Sequence, residues 1–165
     1  MRRLLLAVSF LFAASASAQQ STRVSVYASD VFETDLSGFG AALEYNWSER
    51  LGAELAVASE THTISIGFLS GREKDVRTMP VDLMLHYRFT NQTRWEPYFG
   101  AGVHRLISSD EEVEERTSPA IDGGVHFMAT PVFSIRLDAR AVVNNEPFES
   151  YDPLLRIDLG VGWKF

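Results

Sequence analysis

The feature that most restricts this chain is a period-two alternation of apolar and polar side chains that runs through most of the chain beyond residue 20. Leu155, Ile157, Leu159, Val161, Trp163 and Phe165 are apolar, while Arg156, Asp158, Gly160, Gly162 and Lys164 between them are polar or small. Phe133, Ile135, Leu137, Ala139, Ala141 and Val143 alternate with Ser134, Arg136, Asp138 and Arg140. Val81, Leu83, Leu85, Tyr87 and Phe89 do the same against Asp82, Met84, His86 and Arg88, as do Phe39, Ala41, Leu43, Tyr45 and Trp47 against Gly38, Gly40, Ala42, Glu44 and Asn46. Side chains two apart share one face of a strand, so each run has an apolar face backed by a polar one and does not fit a 3.6-residue helical repeat. The runs are about ten residues long, the length a tilted strand needs to cross a bilayer and roughly twice that of an ordinary soluble strand.

Eight such segments are expected, near 22–31, 38–48, 50–60, 75–89, 95–108, 119–129, 132–144 and 153–165. An even count lets a sheet close on itself with no unpaired edge in lipid. The connections alternate in character. Ser48-Glu49-Arg50, Asn91 to Arg94 and Thr130-Pro131 are short, as turns on the periplasmic side would be, and the intervening ones are longer and more polar, except Phe32 to Ser37. Tyr45, Trp47, Tyr87, Phe89, Trp95, Phe127, Phe133, Trp163 and Phe165 all fall beside the short connections and form a girdle at one membrane interface. A soluble sandwich would pair apolar faces with one another, but here the apolar faces have charged reverses. The expected fold is all-β: an eight-stranded antiparallel up-and-down transmembrane β-barrel.

Composition alone suggests otherwise. The 165 residues carry 22 acidic and 15 basic side chains, a formal charge of −7 and no cysteine. That charge argues against nucleic acid, whose phosphates call for a Lys/Arg surplus. The lack of Cys removes disulfides, thiolate metal sites and thiol nucleophiles. No apolar run reaches 18 residues, so a helical span is excluded. Met1-Arg2-Arg3, the apolar stretch Leu4 to Phe12 and Ala16-Ser17-Ala18 have the layout of a secretory signal peptide cleaved after Ala18. Residues 1–18 are therefore expected to be an address and 19–165 the barrel domain. Removing 18 of 165 residues leaves 147, with 22 acidic against 13 basic, or −9. The expected location is a bacterial outer membrane, with lipid and lipopolysaccharide as surroundings.

Several stretches resemble the OmpW family of small outer-membrane barrels, within the wider OmpA/OmpX-like eight-stranded class. Leu43 through Ala56 is similar to that family's second hairpin, and His62-Thr63-Ile64-Ser65-Ile66 to the start of the loop after it. Met79 through Phe89, Pro97-Tyr98-Phe99-Gly100-Ala101-Gly102-Val103 and the ending Asp152-Pro153 through Phe165 resemble its most characteristic blocks. The connection between the first two strands is shorter than is usual there, Pro80 stands alone where a proline pair is common, and the fifth-to-sixth loop is also short. The resemblance implies a monomeric, porin-like barrel involved in transport, a narrow conduit or binding site for small hydrophobic molecules. It also implies Trp163 and Phe165 as an assembly signal for periplasmic chaperones and the barrel-assembly machinery. The alternative is a structural or surface-interaction barrel without transport.

Alternation assigns Glu44, Glu54, Asp82, His86, Arg88, His104, Asp122, His126, Arg136, Asp138, Arg140, Arg156, Asp158 and Lys164 to the lumen. Eight strands enclose room for their own side chains or one small ligand, and charges there have to be paired or wet. A salt-bridge network that stops ion flow is therefore expected, with Gly100, Gly102, Gly124, Gly160 and Gly162 leaving space for some water or a narrow passage. Ile66, Phe68, Leu69, Met79, Pro80, Ile107, Phe148 and Leu154 are the candidates for a hydrophobic ligand path in the outer lumen. His86, His104 and His126 lie on consecutive strands but at different heights, so no metal site and no cofactor is expected. Arg140 to Glu146 contains neither His nor Ser, so the base and nucleophile of lipid-hydrolysing barrels are missing and no enzyme is expected. Asp110, Glu111, Glu112, Glu114 and Glu115 crowd the loop between Ser108 and Arg116, a solvated stretch that bears on cations or lipid phosphates.

Overall fold

The computed structural model describes residues 20–31, 36–66, 72–89, 93–108, 115–143 and 154–165, with the backbone alone for 36, 62–66, 72–76 and 154. Eight strands run β1 Ser21–Val31, β2 Leu36–Asn46, β3 Leu51–Ile66, β4 Arg72–Arg88, β5 Trp95–Ser108, β6 Arg116–Met128, β7 Phe133–Val142 and β8 Leu154–Lys164. Each pairs antiparallel with its sequence neighbours, and β1 pairs with β8, so the sheet is a closed barrel. Among the described residues no helix is long and apolar enough to cross a membrane. The expected signal segment lies outside the described residues, as do Phe68, Leu69 and Phe148.

The alternation sorts as the period requires, because successive side chains on a strand point to opposite faces. Val26, Leu43, Leu55, Leu83, Leu85, Val103, Leu137 and Leu159 are exposed on the outside, while the residues between them are buried. An apolar exterior round a charged interior inverts a water-soluble fold, and lipid is the solvent that suits it. Near the short turns the outward rings meet in pairs: Tyr87 with Phe89 at 5.3 Å, Trp95 with Phe127 at 4.8 Å and Phe133 with Trp163 at 5.6 Å between centroids.

The short turns share one device. Ser48 Oγ accepts a hydrogen bond from the Leu51 amide at 2.9 Å, and Thr130 Oγ1 accepts one from the Phe133 amide at 3.0 Å. Thr93 Oγ1 accepts the Trp95 amide at 3.2 Å. A hydroxyl that satisfies a backbone donor across a tight bend is a standard use of Ser and Thr.

One feature of the β3–β4 hairpin departs from the sequence expectation, and a second follows from the chemistry of Pro80. The stretch His62–Ile66 is not the start of a loop: β3 continues through it, paired from Thr61↔Arg77 to Ile66↔Arg72. Thr61, Thr63, Ile64 and Ile66 are β-branched and suit a strand, so the hairpin extends beyond the segments expected at 50–60 and 75–89. Within this hairpin the ladder runs to Val57↔Val81, skips two positions and resumes in the same register at Glu60↔Thr78. The skipped positions face Pro80 and Met79. Proline has no amide hydrogen to give, so the β3–β4 seam lacks a rung there while the β4–β5 seam stays continuous at Pro80↔Leu106.

Candidate functional site

Closure brings polar residues from all eight strands into one lumen. Glu44, Glu54, Asp82, His86, Arg88, His104, Asp122, His126, Arg136, Asp138, Arg140, Arg156 and Asp158 are all buried there. Lys164 is instead at the rim, its side chain 35% exposed and its Nζ 4.0 Å from Glu96. At the turn end a vestibule of about 590 Å³, lined by Ser21, Ser48, Glu49, Arg88, Glu96 and Lys164, stops at this network.

The network is built from struts that cross the barrel. Arg136 on β7 reaches Glu54 on β3, donating from Nη1 at 2.5 Å and from Nη2 at 3.0 Å. Arg156 on β8 donates to Asp82 on β4 at 2.9 Å, and Arg23 on β1 donates to Glu96 on β5 at 2.6 Å. Each pair joins strands four apart in a ring of eight, so each spans the lumen. Arg140 is the hub, donating to Asp82 at 2.5 Å and to Glu54 and Asp122 at 3.0 Å each. Arg88 donates to Glu44 and Asn46. His86 lies between two carboxylates, its Nδ1 3.4 Å from Glu44 and its Nε2 3.0 Å from Asp122, and His104 Nδ1 is 2.7 Å from Asp82. Buried charges survive in a low-dielectric site only with such partners.

Aromatic rings fill the remaining space. Tyr98 lies between His86, at 4.7 Å, and His126, at 5.2 Å, and its hydroxyl donates to Asp138 at 2.6 Å. The Arg136 guanidinium is 5.8 Å from the ring centres of both Tyr27 and Tyr98. The lumen glycines are therefore not free space. A Cβ on Gly40 would meet the ring and hydroxyl of Tyr27, one on Gly124 would lie 2.6 Å from the Tyr98 hydroxyl, and one on Gly102 would lie 2.8 Å from Met84 Sδ. Gly100 makes room for His86 and Asp122, Gly160 for Tyr27, and Gly162 for Ser25 and Ser134. Gly40→Val is expected to lose about 1–3 kcal/mol by overpacking against Tyr27, measured by urea unfolding in micelles.

Arg23, Tyr27, Asn46, Glu60, Glu96 and Tyr98 also belong to this interior, beyond the residues that the sequence marks. Parity suffices to find Arg23, since Arg23, Ser25, Tyr27 and Ser29 share the face opposite Val24, Val26 and Ala28. The same parity turns Tyr27 inward, and turns Tyr98 inward with Gly100, Gly102 and His104, but the space each ring fills depends on a glycine opposite it on the adjacent strand, Gly40 and Gly124.

Two of the hydrophobic-path candidates face the wrong way. Met79 is exposed on the outer wall, and Ile107, its direct partner across the β4–β5 seam, shares that face. One-residue parity decides this: Met79 continues Val81 and Leu83, and Ile107 continues Val103. Pro80 is buried in the lumen. The apolar residues on inward parity toward the long-loop end are Val31, Ala58, Pro80, Leu106, Ala120 and Val142. For Ile66 and Leu154 only the backbone is described, and of the acidic loop only its ends, where Glu115 pairs with Arg105 at 3.1 Å on the surface.

The three histidines do not converge. Glu54, His86 and Asp122 do, with ligand atoms within 4.8 Å of one another. Arg140 lies 3.0 Å from both carboxylates and already supplies the positive charge a metal would bring.

Residues 4–165 match the outer membrane protein beta-barrel domain family. The chain belongs to that family. Among solved structures, this family member superposes on the N-terminal β-barrel domain of Pseudomonas aeruginosa OprF with a TM-score of 0.66 at 17% identity, over 90% of this chain and 100% of that one. OprG of Pseudomonas aeruginosa gives 0.64 at 15% identity, over 90% and 96%. AlkL, determined in lipid bilayers, gives 0.61 at 18% identity, over 92% and 93%. Identities this low carry the fold. No curated protein sequence matches. The protein is thus an outer-membrane β-barrel protein of a bacterial envelope.

Proposed function

We propose that this outer-membrane barrel is of OmpW-like type and takes small apolar molecules into the outer half of its lumen, releasing them sideways into the membrane. The charged network below stands against a straight route to the periplasm. The observation that carries the reading is the missing rung at Pro80, beside inward Ala58 and Leu106. A seam short of a backbone hydrogen bond opens at lower cost than its neighbours, and an apolar molecule leaving there passes directly into hydrocarbon.

Cells carrying the protein in their outer membrane are expected to take up n-octane several-fold faster than cells lacking it. Pro80→Ala restores the missing donor and lowers that uptake. Equal uptake by the two barrels overturns lateral release. The cross-lumen struts favour a second reading, a closed structural barrel without transport. Uptake unchanged by the presence of the protein supports that second reading.

A further inference from the structure

Three buried oxygens on one wall of the lumen have no hydrogen-bond partner among the described residues: Tyr27 Oη, Ser29 Oγ and Glu60 Oε1. Their residues are 4%, 4% and 5% exposed. Strand register brings them together. Ser29 pairs with Gly38, and Gly38 pairs with Glu60, so the two side chains face each other across a residue that has none. The Glu60 stem leans over Gly38, where an added Cβ would lie 2.9 Å from its Cγ. Tyr27 Oη lies over Gly40, 2.5 Å from the corresponding point, one inward step along β2 and about 7 Å away.

Glu60 is also the first residue paired above the gap at Pro80, on the outer side of the charged network. Its nearest cation, Arg156 Nη1, is 3.6 Å away, beyond hydrogen-bond distance, and Arg156 already serves Asp82 at 2.9 Å and Asp158 at 3.1 Å. His104 is likewise held by Asp82. Arg140 also holds Asp82, at 2.5 Å, so among the described residues Glu60 has only the long contact to Arg156 as an ion pair. Buried polar atoms in native structures find partners, and Ser29 Oγ with Glu60 Oε1, facing each other across Gly38, can both accept from one donor group.

We propose that this wall binds the ammonium end of a small apolar amine, with its hydrocarbon part against Val31, Ala58 and Pro80. A primary ammonium has three donors and no acceptor, which suits the Glu60 carboxylate and the Ser29 hydroxyl that faces it across Gly38, with Tyr27 Oη one step further along the same wall. A carboxylate-ended chain of the same length meets an acidic surface and is rejected. The site rests on the outer lumen being open to small apolar molecules, as proposed above.

The test is the full barrel in zwitterionic lipid nanodiscs, followed by amide NMR during titration with octylammonium, 1-octanol and octanoate. Octylammonium is expected to give saturable shifts at Ser29, Gly38, Gly40 and Glu60, binding about tenfold more tightly than 1-octanol because its hydrogen bonds are charge-assisted. Octanoate gives none. Glu60→Gln removes the preference for the amine over the alcohol. Shifts confined to lipid-facing residues, or equal affinities for amine and alcohol, leave an ordered water as the only occupant and overturn the site. Should Glu60→Gln fail to fold, the amine-to-alcohol ratio of the parent protein decides. Uptake of n-octane separates this proposal from the one it rests on. Octane uptake without octylammonium shifts removes the amine site alone, whereas octylammonium shifts without octane uptake remove the conduit and keep the site.

Discussion

Arg140→Ala is expected to cost the barrel about 3–5 kcal/mol, the scale on which removing one member of a buried ion pair leaves its partners uncompensated. The effect is large here because one guanidinium donates to three buried carboxylates, Glu54, Asp82 and Asp122, and lies 3.6 Å from a fourth, Asp138. After truncation Glu54 keeps Arg136 and Asp82 keeps Arg156 and His104, but Asp122 retains only His86. Urea unfolding in detergent micelles, read by tryptophan fluorescence, measures the loss. The paired replacement Arg136→Met with Glu54→Leu is expected to stay within about 1 kcal/mol of the parent, since two apolar groups of similar volume relieve two desolvated charges. The sign of the contrast matters more than its size. An Arg140→Ala protein as stable as the parent would contradict its place as the hub of the buried network.

The second large effect concerns current. In planar bilayers the parent barrel is expected to give no conductance steps above bare lipid, because an eight-stranded lumen accommodates little more than its own side chains. Here those side chains include two tyrosines and three pairs that span the barrel. Truncating Tyr27, Glu54 and Arg136 together removes the centre of the plug and both charges of one strut. Discrete steps are expected from that variant, provided its folded-form gel mobility is retained. Regular steps from the parent protein would contradict a closed lumen directly.

Much of the barrel is legible in its amino-acid order. Alternation marks the barrel class, the number of strands and the residues that carry the buried charges, because it is a local rule with one bit per residue. The same rule, applied without exception, puts Met79 and Ile107 on the lipid side. Apolar character and nearness to the loops point the other way for these two, and Leu106, one residue from Ile107, is the inward neighbour of Pro80. The extension of β3 and β4 is less legible, since Thr61 to Ile66 is polar enough to read as a loop and its pairing with Arg72–Arg77 comes from the hairpin as a whole.

Period two alone settles the sorting of faces, with apolar side chains toward lipid and polar ones inward, and hydroxyl residues at the tight turns satisfy the backbone where the chain reverses. Which inward residue meets which is settled only by closure of the barrel. Arg136 and Glu54 are 82 positions apart, and they meet because β7 comes to lie opposite β3. The fit of Tyr27 over Gly40, and of Glu60 over Gly38 beside Ser29, depends likewise on the register of three adjacent strands. Register is a property of closed pairing, in which a slip of one residue turns every side chain to the other face. The charges are therefore readable one strand at a time, and their partners only once all eight strands are joined.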